Sequence, residues 1–575
     1  MYDRFPFIPA GRAEECRTGW ATIGRELAER CGGGRLALEC YPGVHIQEVA
    51  EGIRPAFPNA TFLFTHDLLR PAAEIVRMLD PVLGDDPVFG RMNSIEIADF
   101  FQPEKLRWAQ SQWQSVGRTL VVIGVGASLV APDPAVLVYA DLARWEIQLR
   151  QRRNEIGNLG VENLTARPSQ KYKRAFFVDW RAADRMKTNL FPRIDLLLDT
   201  HQPGQPRAIS GDTFRRGLEL AVHRPFRVVP FFDPGPWGGH WMERVCGVPV
   251  NGQPNHAWCF DCVPEENSLL LGFGDTRVEV PSLDLVLRHP RELLGRHVYE
   301  RFGAEFPIRF DFLDTMGGGN LSLQVHPLTA YIREHFGMDY TQDESYYLLD
   351  AEEDACVYLG LKEGVDAAAM IADLHRAQAG GFDFPAALYV NRFPAYKHDH
   401  FLIPAGTVHC SGNSSMVLEI SATPYIFTFK LWDWGRLGLD GRPRPIHLEH
   451  GAANIQWNRQ TSWVRQNLVN RLEPVTSGDG WRTERTGLHE LEFIETRRHW
   501  FTGTVPDHTE DTVHVLNLIE GEEAFVESPD KAFEPFPVHY AETFIVPACV
   551  GPYTIRPADP NASCEHGAIR AAVRR

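Results

Sequence analysis

The chain has 575 residues, of which 44% are hydrophobic and 23% are charged, and its formal net charge is −17. This length exceeds what one hydrophobic core supports, so we expect two or three folded domains rather than an extended disordered chain. The acidic balance argues against a nucleic-acid or anionic-membrane surface, because such surfaces need clustered lysine and arginine.

The N-terminus, MYDRFPFIPAGRAEE, has no cationic start followed by an apolar run, and no segment approaches 18 uninterrupted apolar residues. The ten cysteines are scattered along the chain, which is not the pattern of a disulfide framework. We therefore expect a soluble, cytoplasmic protein that does not span a membrane.

The first 220 residues alternate short apolar runs with helical patterns. RLALEC (35–40), AVLVYAD (135–141) and RIDLLLDT (193–200) are nearly continuous apolar segments, as in buried parallel strands. This alternation predicts an α/β layered domain with a mostly parallel sheet over residues 1–220. The basic residues of the helical segment 141–156 are interpreted as a solvated face or, alternatively, an anion site: Arg144, Arg150, Arg152 and Arg153.

Two parts of this region carry a faint family resemblance. RLALEC with YPGVHIQEVAEGI, and VVIGVGASLV with PDPAVLVYADLARWEIQLRQRR, resemble nucleoside-kinase-like P-loop domains. The phosphate-binding pattern GxxxxGK[ST] is absent: Gly43 is the only glycine in the turn, and Val44 and His45 stand where lysine and serine or threonine are expected. The resemblance therefore implies a degenerate scaffold or ligand-sensing module rather than a working phosphotransferase.

From about residue 225 the sequence is rich in short strand patterns separated by proline and glycine, which predicts a sandwich or barrel. A helical insertion interrupts it at EGVDAAAMIADLHRAQAG (363–380), with Gly380 and Gly381 as the terminating signal. Further strand patterns lie at 511–528 and 542–557. We expect a main β domain over 221–470 and a smaller β-module over 471–575.

Four polar residues in this half could bind a metal ion. Gln324 and His326 share one face of the alternating strand LSLQVHP, Glu344 lies in TQDESYYLLD, and His409 lies in IPAGTVHC. Imidazole, carboxylate and amide groups together can bind a zinc-like ion. Each residue alone could equally be exposed or hydrogen-bonded, but the turn PAGTVHC should fix His409 at a strand end.

The series LSLQVHP, DESYYLLDAEEDACVYLGLKEGV, LIPAGTVHCSGNSSMVLEIS and FKLWDWGR followed by PIHLE resembles type I phosphomannose isomerases over roughly residues 225–575. That resemblance implies a β-barrel of the cupin, or jelly-roll, type with a second cupin-like module at its end. It also implies a zinc ion, Zn²⁺, held by Gln324, His326, Glu344 and His409. The implied reaction interconverts mannose 6-phosphate and fructose 6-phosphate, a phosphorylated sugar substrate, through a cis-enediol.

The same resemblance assigns three active-site candidates. Glu419 matches a family glutamate and is the candidate acid/base, or else a structural carboxylate. Lys430 falls on the family's arginine after a one-residue shift, which loses the planar two-pronged contact. Arg436 matches the family pattern and could bind the substrate or its phosphate, or else form an ion pair. Gln342 stands where many members of the family have lysine. These departures leave open an isomerase of another phosphorylated sugar or a non-catalytic metal-containing sugar-phosphate sensor. Nothing in the sequence predicts the oligomeric state.

Overall fold

The computed structural model of the protein describes residues 2–115, 119–422, 425–487, 489–561 and 564–575. The chain divides into two compact units, which are described separately. The α/β unit comprises Phe7–Ala221 and Glu265–His289, and the β unit comprises Met1–Pro6, Val222–Pro264 and Pro290–Arg575. Within the described ranges, every helix is too short or too polar to cross a bilayer.

The strands are numbered in chain order. They are β1 (Phe7–Gly11), β2 (Cys16–Thr18), β3 (Arg35–Cys40), β4 (Thr61–Phe64), β5 (Leu120–Gly124), β6 (Val136–Asp141), β7 (Leu196–Asp199), β8 (Arg207–Ser210), β9 (Phe231–Asp233), β10 (Trp258–Cys262), β11 (Ser268–Phe273), β12 (Thr276–Pro281), β13 (Arg309–Asp314), β14 (Leu323–Val325), β15 (Glu344–Ala351), β16 (Cys356–Leu361), β17 (Val390–Pro394), β18 (His400–Ile403), β19 (His409–Ser411), β20 (Ser415–Ser421), β21 (Phe429–Trp432), β22 (Glu473–Gly478), β23 (Trp481–Gly487), β24 (Ile494–Phe501), β25 (Val505–His508), β26 (His514–Glu520), β27 (Glu523–Glu527), β28 (Phe536–His539), β29 (Thr543–Val546), β30 (Pro552–Pro557) and β31 (His566–Val573).

The α-helices are numbered in the same way. They are α1 (Trp20–Cys31), α2 (Ile46–Ile53), α3 (Ala72–Leu83), α4 (Pro103–Gln114), α5 (Ala127–Val130), α6 (Arg144–Arg152), α7 (Pro168–Arg174), α8 (Trp180–Leu190), α9 (Gly211–Val222), α10 (Trp241–Cys246), α11 (Leu283–Arg288), α12 (Pro290–Leu294), α13 (Arg296–Phe302), α14 (Thr329–Phe336), α15 (Ala367–Gln378), α16 (Ala386–Tyr389), α17 (Leu448–Asn454) and α18 (Thr461–Asn467). A π-helical turn, Ala175–Asp179, joins α7 to α8.

The α/β unit is built on a seven-stranded sheet with the order β2-β8-β7-β6-β3-β5-β4. The five strands from β7 to β4 are parallel, and β8 and β2 extend the sheet in antiparallel pairing. Strands β5, β6 and β7 are buried along their whole length, which their continuous apolar sequences and the covering helices require. A second sheet of this unit has the order β1-β11-β12.

The basic residues of α6 differ from the sequence interpretation. Arg152 and Arg153 are exposed, as expected of a solvated face. Arg144 and Arg150 are buried, so the prediction is wrong for these two. Arg144 pairs with Asp184, and Arg150 donates to backbone carbonyl oxygens. Helical spacing does not distinguish a guanidinium in water from one that is satisfied by buried acceptors.

In the described part of the β unit there are four antiparallel sheets. The first two have the orders β18-β15-β20-β13-β10-β9 and β17-β16-β19-β14-β21, and they carry the candidate ligands. The other two, β22-β23-β24-β31-β26-β29 and β25-β30-β27-β28, lie in the C-terminal part. Both of these contribute to one hydrophobic core, with Phe501 and Leu516 from one sheet and Val526 and Ile555 from the other. Because each part has its own pair of sheets, we propose that 221–470 and 471–575 are separate domains.

The helical insertion is α15. Its N-cap residue, Asp366, accepts a hydrogen bond from the Ala369 amide at 3.1 Å, which satisfies one of the free donors of the first turn. Beyond the helix, Gly380 and Gly381 have φ angles of 92° and 76°, a region that favours glycine.

Candidate metal centre

Two sheets of the β unit supply the candidate ligands. Gln324 lies in β14 and His326 immediately follows it, while His409 begins the adjacent strand β19 and is the register partner of Gln324. Glu344 begins β15, which belongs to the other sheet. The structure therefore brings together four residues that are separated by up to 85 positions in sequence.

Three of these side chains form a closed cluster. The Glu344 Oε1 atom lies 2.8 Å from His409 Nε2, and its Oε2 atom lies 3.1 Å from His326 Nε2. One ligand atom from each residue can be chosen so that all three lie within 4.8 Å of one another. The Gln324 amide lies beside them, with its Nε2 atom 3.3 Å from His409 Nε2. All three clustered side chains are fully buried.

Backbone hydrogen bonds fix the tautomer of both imidazoles. His326 Nδ1 donates to the Phe427 carbonyl oxygen at 2.8 Å, and His409 Nδ1 donates to the Thr407 carbonyl oxygen at 2.8 Å. With their protons on Nδ1, neutral rings present Nε2 lone pairs to the Glu344 carboxylate, which also has only lone pairs to offer. Accordingly, His326 Nε2 and Glu344 Oε1 complete no hydrogen bond with any described residue.

A cation at this position would satisfy these buried acceptors. Two imidazole nitrogens and a carboxylate oxygen form a donor set that zinc accepts, and Gln324 can add an amide oxygen, so the cluster fits the expected zinc ion. The charges are consistent with this. Burial disfavours the charged forms of both His326 and Glu344. The Glu344 carboxylate nevertheless raises the pKa of His326, and the two imidazoles hold the pKa of Glu344 well below its ordinary range.

Gln342 orients the carboxylate. Its Nε2 group donates to Glu344 Oε2 at 3.0 Å, and its Oε1 atom accepts from the Phe427 amide at 3.1 Å. The Phe427 carbonyl oxygen also accepts the hydrogen bond from His326 Nδ1. The backbone of Phe427 therefore positions His326 directly and Glu344 through Gln342. From the sequence alone, Gln342 is identified only as a departure from the family pattern.

The turn that leads into His409 is fixed by close contacts. Gly406 has a φ angle of 88°, and its amide donates to the His326 carbonyl oxygen at 3.0 Å. Arg459 donates to the carbonyl oxygens of Pro404 and Ala405 at 2.6 and 2.8 Å and also to the Thr407 hydroxyl. Sequence reasoning missed Arg459, because it lies 50 residues after His409 in a segment without a recognisable motif.

Glu419 lies next to the cluster on β20. It is the register partner of Tyr346, which follows Glu344 by two residues, so the two glutamates share one face of the sheet. Glu419 is buried. Burial, followed by the charges of Asp311 and Glu344, raises the pKa of Glu419 well above its ordinary value.

The two cationic candidates occupy different positions. Lys430 is the register partner of Gln324 on β21 and is half-buried, and burial followed by the charge of Arg444 lowers the pKa of Lys430 to about 7. Arg436 lies outside the cluster and donates from Nε and Nη2 to Asp433 Oδ1 at 3.1 and 2.9 Å. Arg444 binds the same carboxylate, with Nη1 at 3.1 Å from Oδ2.

Part of the chain is similar in fold to a solved structure. The crystal structure of mannose 6-phosphate isomerase from Bacillus subtilis superimposes with a TM-score of 0.50 at 18% sequence identity, covering 61% of this chain and 100% of that one. At this identity the likeness concerns the fold alone.

Sequence comparison adds relatives from the same class. A mannose-6-phosphate isomerase of Streptococcus mutans serotype c is 29% identical over 216 residues, which are 37% of this chain and 62% of that protein. The probable mannose-6-phosphate isomerase GmuF of Bacillus subtilis strain 168 is 25% identical over 226 residues, which are 39% and 66% of the two chains. The chain thus spans less than two thirds of the length of either relative. Separately, residues 19–223 match the family described as a domain of unknown function, DUF8485.

Proposed function

We propose that the protein is a zinc-dependent aldose–ketose isomerase that interconverts mannose 6-phosphate and fructose 6-phosphate. The observation that carries this proposal is the buried cluster of His326, Glu344 and His409, whose acceptor atoms converge without enough protons to satisfy them. The relatives from Streptococcus mutans and Bacillus subtilis support the same activity.

In this proposal Gln324, His326, Glu344 and His409 hold the zinc ion. When bound, the ion would act as a Lewis acid towards the oxygens of the substrate. The protein's part is to present the ligands ready for binding. The backbone carbonyls of Phe427 and Thr407 hold the Nδ1 atoms of both rings, so Nε2 is the nitrogen of each ring that is directed at the metal position.

Isomerisation moves a proton between C1 and C2 of the sugar, and a base must lie beside those carbons. We assign this role, as acid and base in turn, to Glu419, because its carboxyl group shares a sheet face with Glu344 and is shielded from bulk water. Lys430 shares a face with Gln324, so its ammonium group is positioned to interact with a substrate oxygen. Arg436, together with Arg444, outnumbers the charge of Asp433 and supplies positive charge for a phosphate group.

The alternative is a metal-containing sensor that binds a sugar phosphate without turning it over. The residue that favours this reading is Lys430, since an ammonium group lacks the two-pronged geometry of the arginine expected there.

The test uses the full-length protein loaded with zinc, in a coupled assay for the two sugar phosphates, and elemental analysis of its metal content. We expect turnover in the wild type and its loss, with loss of zinc, in His326→Ala and His409→Ala. His400→Ala is the matched control: His400 is also fully buried, on β18 of the same unit, but lies outside the cluster.

Each result decides between the readings. Absence of turnover by the zinc-loaded protein, across a panel of phosphorylated sugars, would reject the isomerase. Sugar-phosphate binding without turnover would establish the sensor. Equal zinc content in the wild type and in the double variant of His326 and His409 would reject the metal centre itself.

A further inference from the structure

The α/β unit contains an open cleft of about 860 Å³ that the isomerase proposal does not use. It lies at the carboxyl ends of three parallel strands, since Gly43, His66 and Val125 line it and follow β3, β4 and β5 closely in sequence. This volume is within the range of small-molecule sites in proteins.

The position of the cleft in the sheet is where ligands bind in open α/β folds. After β3 the chain runs to β4 at the edge of the sheet, whereas after β5 it crosses β3 to reach β6 on the other side. The loops that follow β3 and β5 therefore leave in opposite directions and open a crevice between them. Such a reversal at the carboxyl ends of parallel strands is the usual ligand site.

The walls of the cleft are largely apolar. Val44 comes from the turn after β3 and Ile147 from α6. Ala73 and Val76 come from α3, and Val161 comes from the loop between α6 and α7. Val76 is 55% exposed, which is high for a valine side chain and leaves apolar surface open to a ligand.

One buried polar group in the cleft has an unused acceptor. Gln151 lines the cleft and is only 2% exposed, and its Oε1 atom accepts no hydrogen bond from any residue in the described ranges. The Oε1 atom is itself buried, and a rotation of the amide would bring it to the cleft. Because a buried amide oxygen without a donor is costly, a ligand that supplies an N–H or O–H group would favour that rotation.

The turn after β3 is unsuited to phosphate. The Val44 and Ile46 amides already donate to the carbonyl oxygens of Tyr41 and Val44, at 3.2 and 2.9 Å. The buried guanidinium of Arg150 donates to the Gly43 and Thr200 carbonyl oxygens, at 3.0 and 2.6 Å, and to Glu146 Oε1 at 3.1 Å, so its donors are already used within the protein. A phosphate site needs free amides and cations.

The charge of the lining also disfavours an anion. Three carboxylates, Glu155, Glu162 and Asp179, line the cleft against two guanidiniums, Arg70 and Arg174. Of these two, Arg174 is bound to Asp179 and to the Leu159 carbonyl oxygen, so it is not available to a ligand phosphate.

We propose that this cleft binds an uncharged, largely apolar small molecule that donates one hydrogen bond to Gln151. The site is independent of the metal centre and of the proposed isomerase activity. It gives the α/β unit a ligand-binding role without phosphoryl transfer.

Three naphthalene probes, which differ only in one substituent, test this proposal on the full-length protein by fluorescence titration. 2-Naphthol is uncharged near neutral pH and has a hydroxyl donor, 2-methoxynaphthalene lacks the donor, and 2-naphthyl phosphate carries the anion. We expect saturable binding of 2-naphthol, binding of the ether weaker by about fivefold, as one net hydrogen bond implies, and the weakest binding for the phosphate.

Variants locate the binding. Ala73→Trp should fill the cleft and abolish binding of 2-naphthol, whereas Ala21→Trp should leave it unchanged. These two residues are a matched pair, because each is exposed and each is the second residue of a 12-residue helix, but only Ala73 lines the cleft. Gln151→Leu should keep binding of the ether and remove the preference for 2-naphthol. Val76→Trp replaces Ala73→Trp if thermal melting shows that the latter is unfolded.

Three results would overturn the proposal. The first is tighter binding of 2-naphthyl phosphate than of 2-naphthol at the site that tryptophan blocks. The second is binding of 2-naphthol that both Ala73→Trp and Val76→Trp leave intact. The third is an unchanged preference for 2-naphthol in Gln151→Leu. Absence of saturable binding by all three probes would equally reject it.

Discussion

Adding one methyl group at Gly406 should weaken both the fold and the metal centre. A Cβ atom there would lie 2.7 Å from Gln456 Cγ, 2.9 Å from the Asn454 carbonyl oxygen and 2.9 Å from Leu328 Cδ2. The side-chain atoms can rotate, but the carbonyl oxygen belongs to the backbone. The turn itself must therefore move, and it carries His409 three residues later.

The expected loss of stability has two parts. A left-handed backbone costs a residue with a Cβ about 1–2 kcal/mol relative to glycine. Forced contacts in a packed region add about 1–3 kcal/mol. We therefore expect Gly406→Ala to lower the free energy of unfolding by about 2–5 kcal/mol. Because the Gly406 amide also donates to the His326 carbonyl oxygen, zinc affinity should fall by about tenfold.

Gly380→Ala is the matched control. Gly380 has a φ angle of 92°, close to that of Gly406, but a Cβ atom there would meet no atom within 4 Å. It should lose only the backbone part, about 1–2 kcal/mol, and keep its zinc affinity. The measurements are urea denaturation of the metal-free proteins and competition with a chelating dye. Equal destabilisation of the two variants, or unchanged zinc affinity in Gly406→Ala, would refute the reasoning.

Three further predictions concern single side chains. Arg459→Met should lower the free energy of unfolding by about 3 kcal/mol in urea denaturation, since it leaves buried carbonyl oxygens without their charged donor; a loss below about 1 kcal/mol would contradict this. Gln342→Leu should weaken zinc binding by about tenfold in the chelator assay, because Glu344 loses its orienting donor, and unchanged affinity would count against that role. Burial raises the pKa of Glu39 to about 7 from an unfolded value of 4.5, so the folded state binds the proton of this carboxyl group more tightly than the unfolded state does. The free energy of unfolding should therefore fall by about 3 kcal/mol as pH rises from 4.5 through 7. Glu39→Gln should remove this contribution in denaturation series across that pH range, and an identical pH slope in the variant would exclude it.

The sequence predicted the candidate ligands better than it predicted their supports. Gln324, His326, Glu344 and His409 were identified from short segments whose strand alternation and turn residues are local, and local patterns survive in a single sequence. Gln342 and Arg459 act through backbone groups of distant segments. Such contacts exist only after the sheets have assembled, so no spacing rule predicts them.

The buried arginines of α6 illustrate the same limit. Arg150 follows the helical spacing of an exposed residue, and its partners are carbonyl oxygens near residues 43 and 200. Burial of a charged group depends on acceptors that come together in three dimensions. The continuous apolar runs, by contrast, predicted buried strands at β6 and β7, because burial on both faces leaves a direct signature in composition.

The origin of Glu344 in one sheet and of His326 and His409 in another has a thermodynamic consequence. An ion bound by all three would connect the two sheets directly, so opening them would require its release. Linkage then makes the stability of the β unit a function of free zinc, gaining about 4 kcal/mol when zinc exceeds its dissociation constant a thousandfold. The protein's resistance to unfolding would follow the zinc supply of its surroundings.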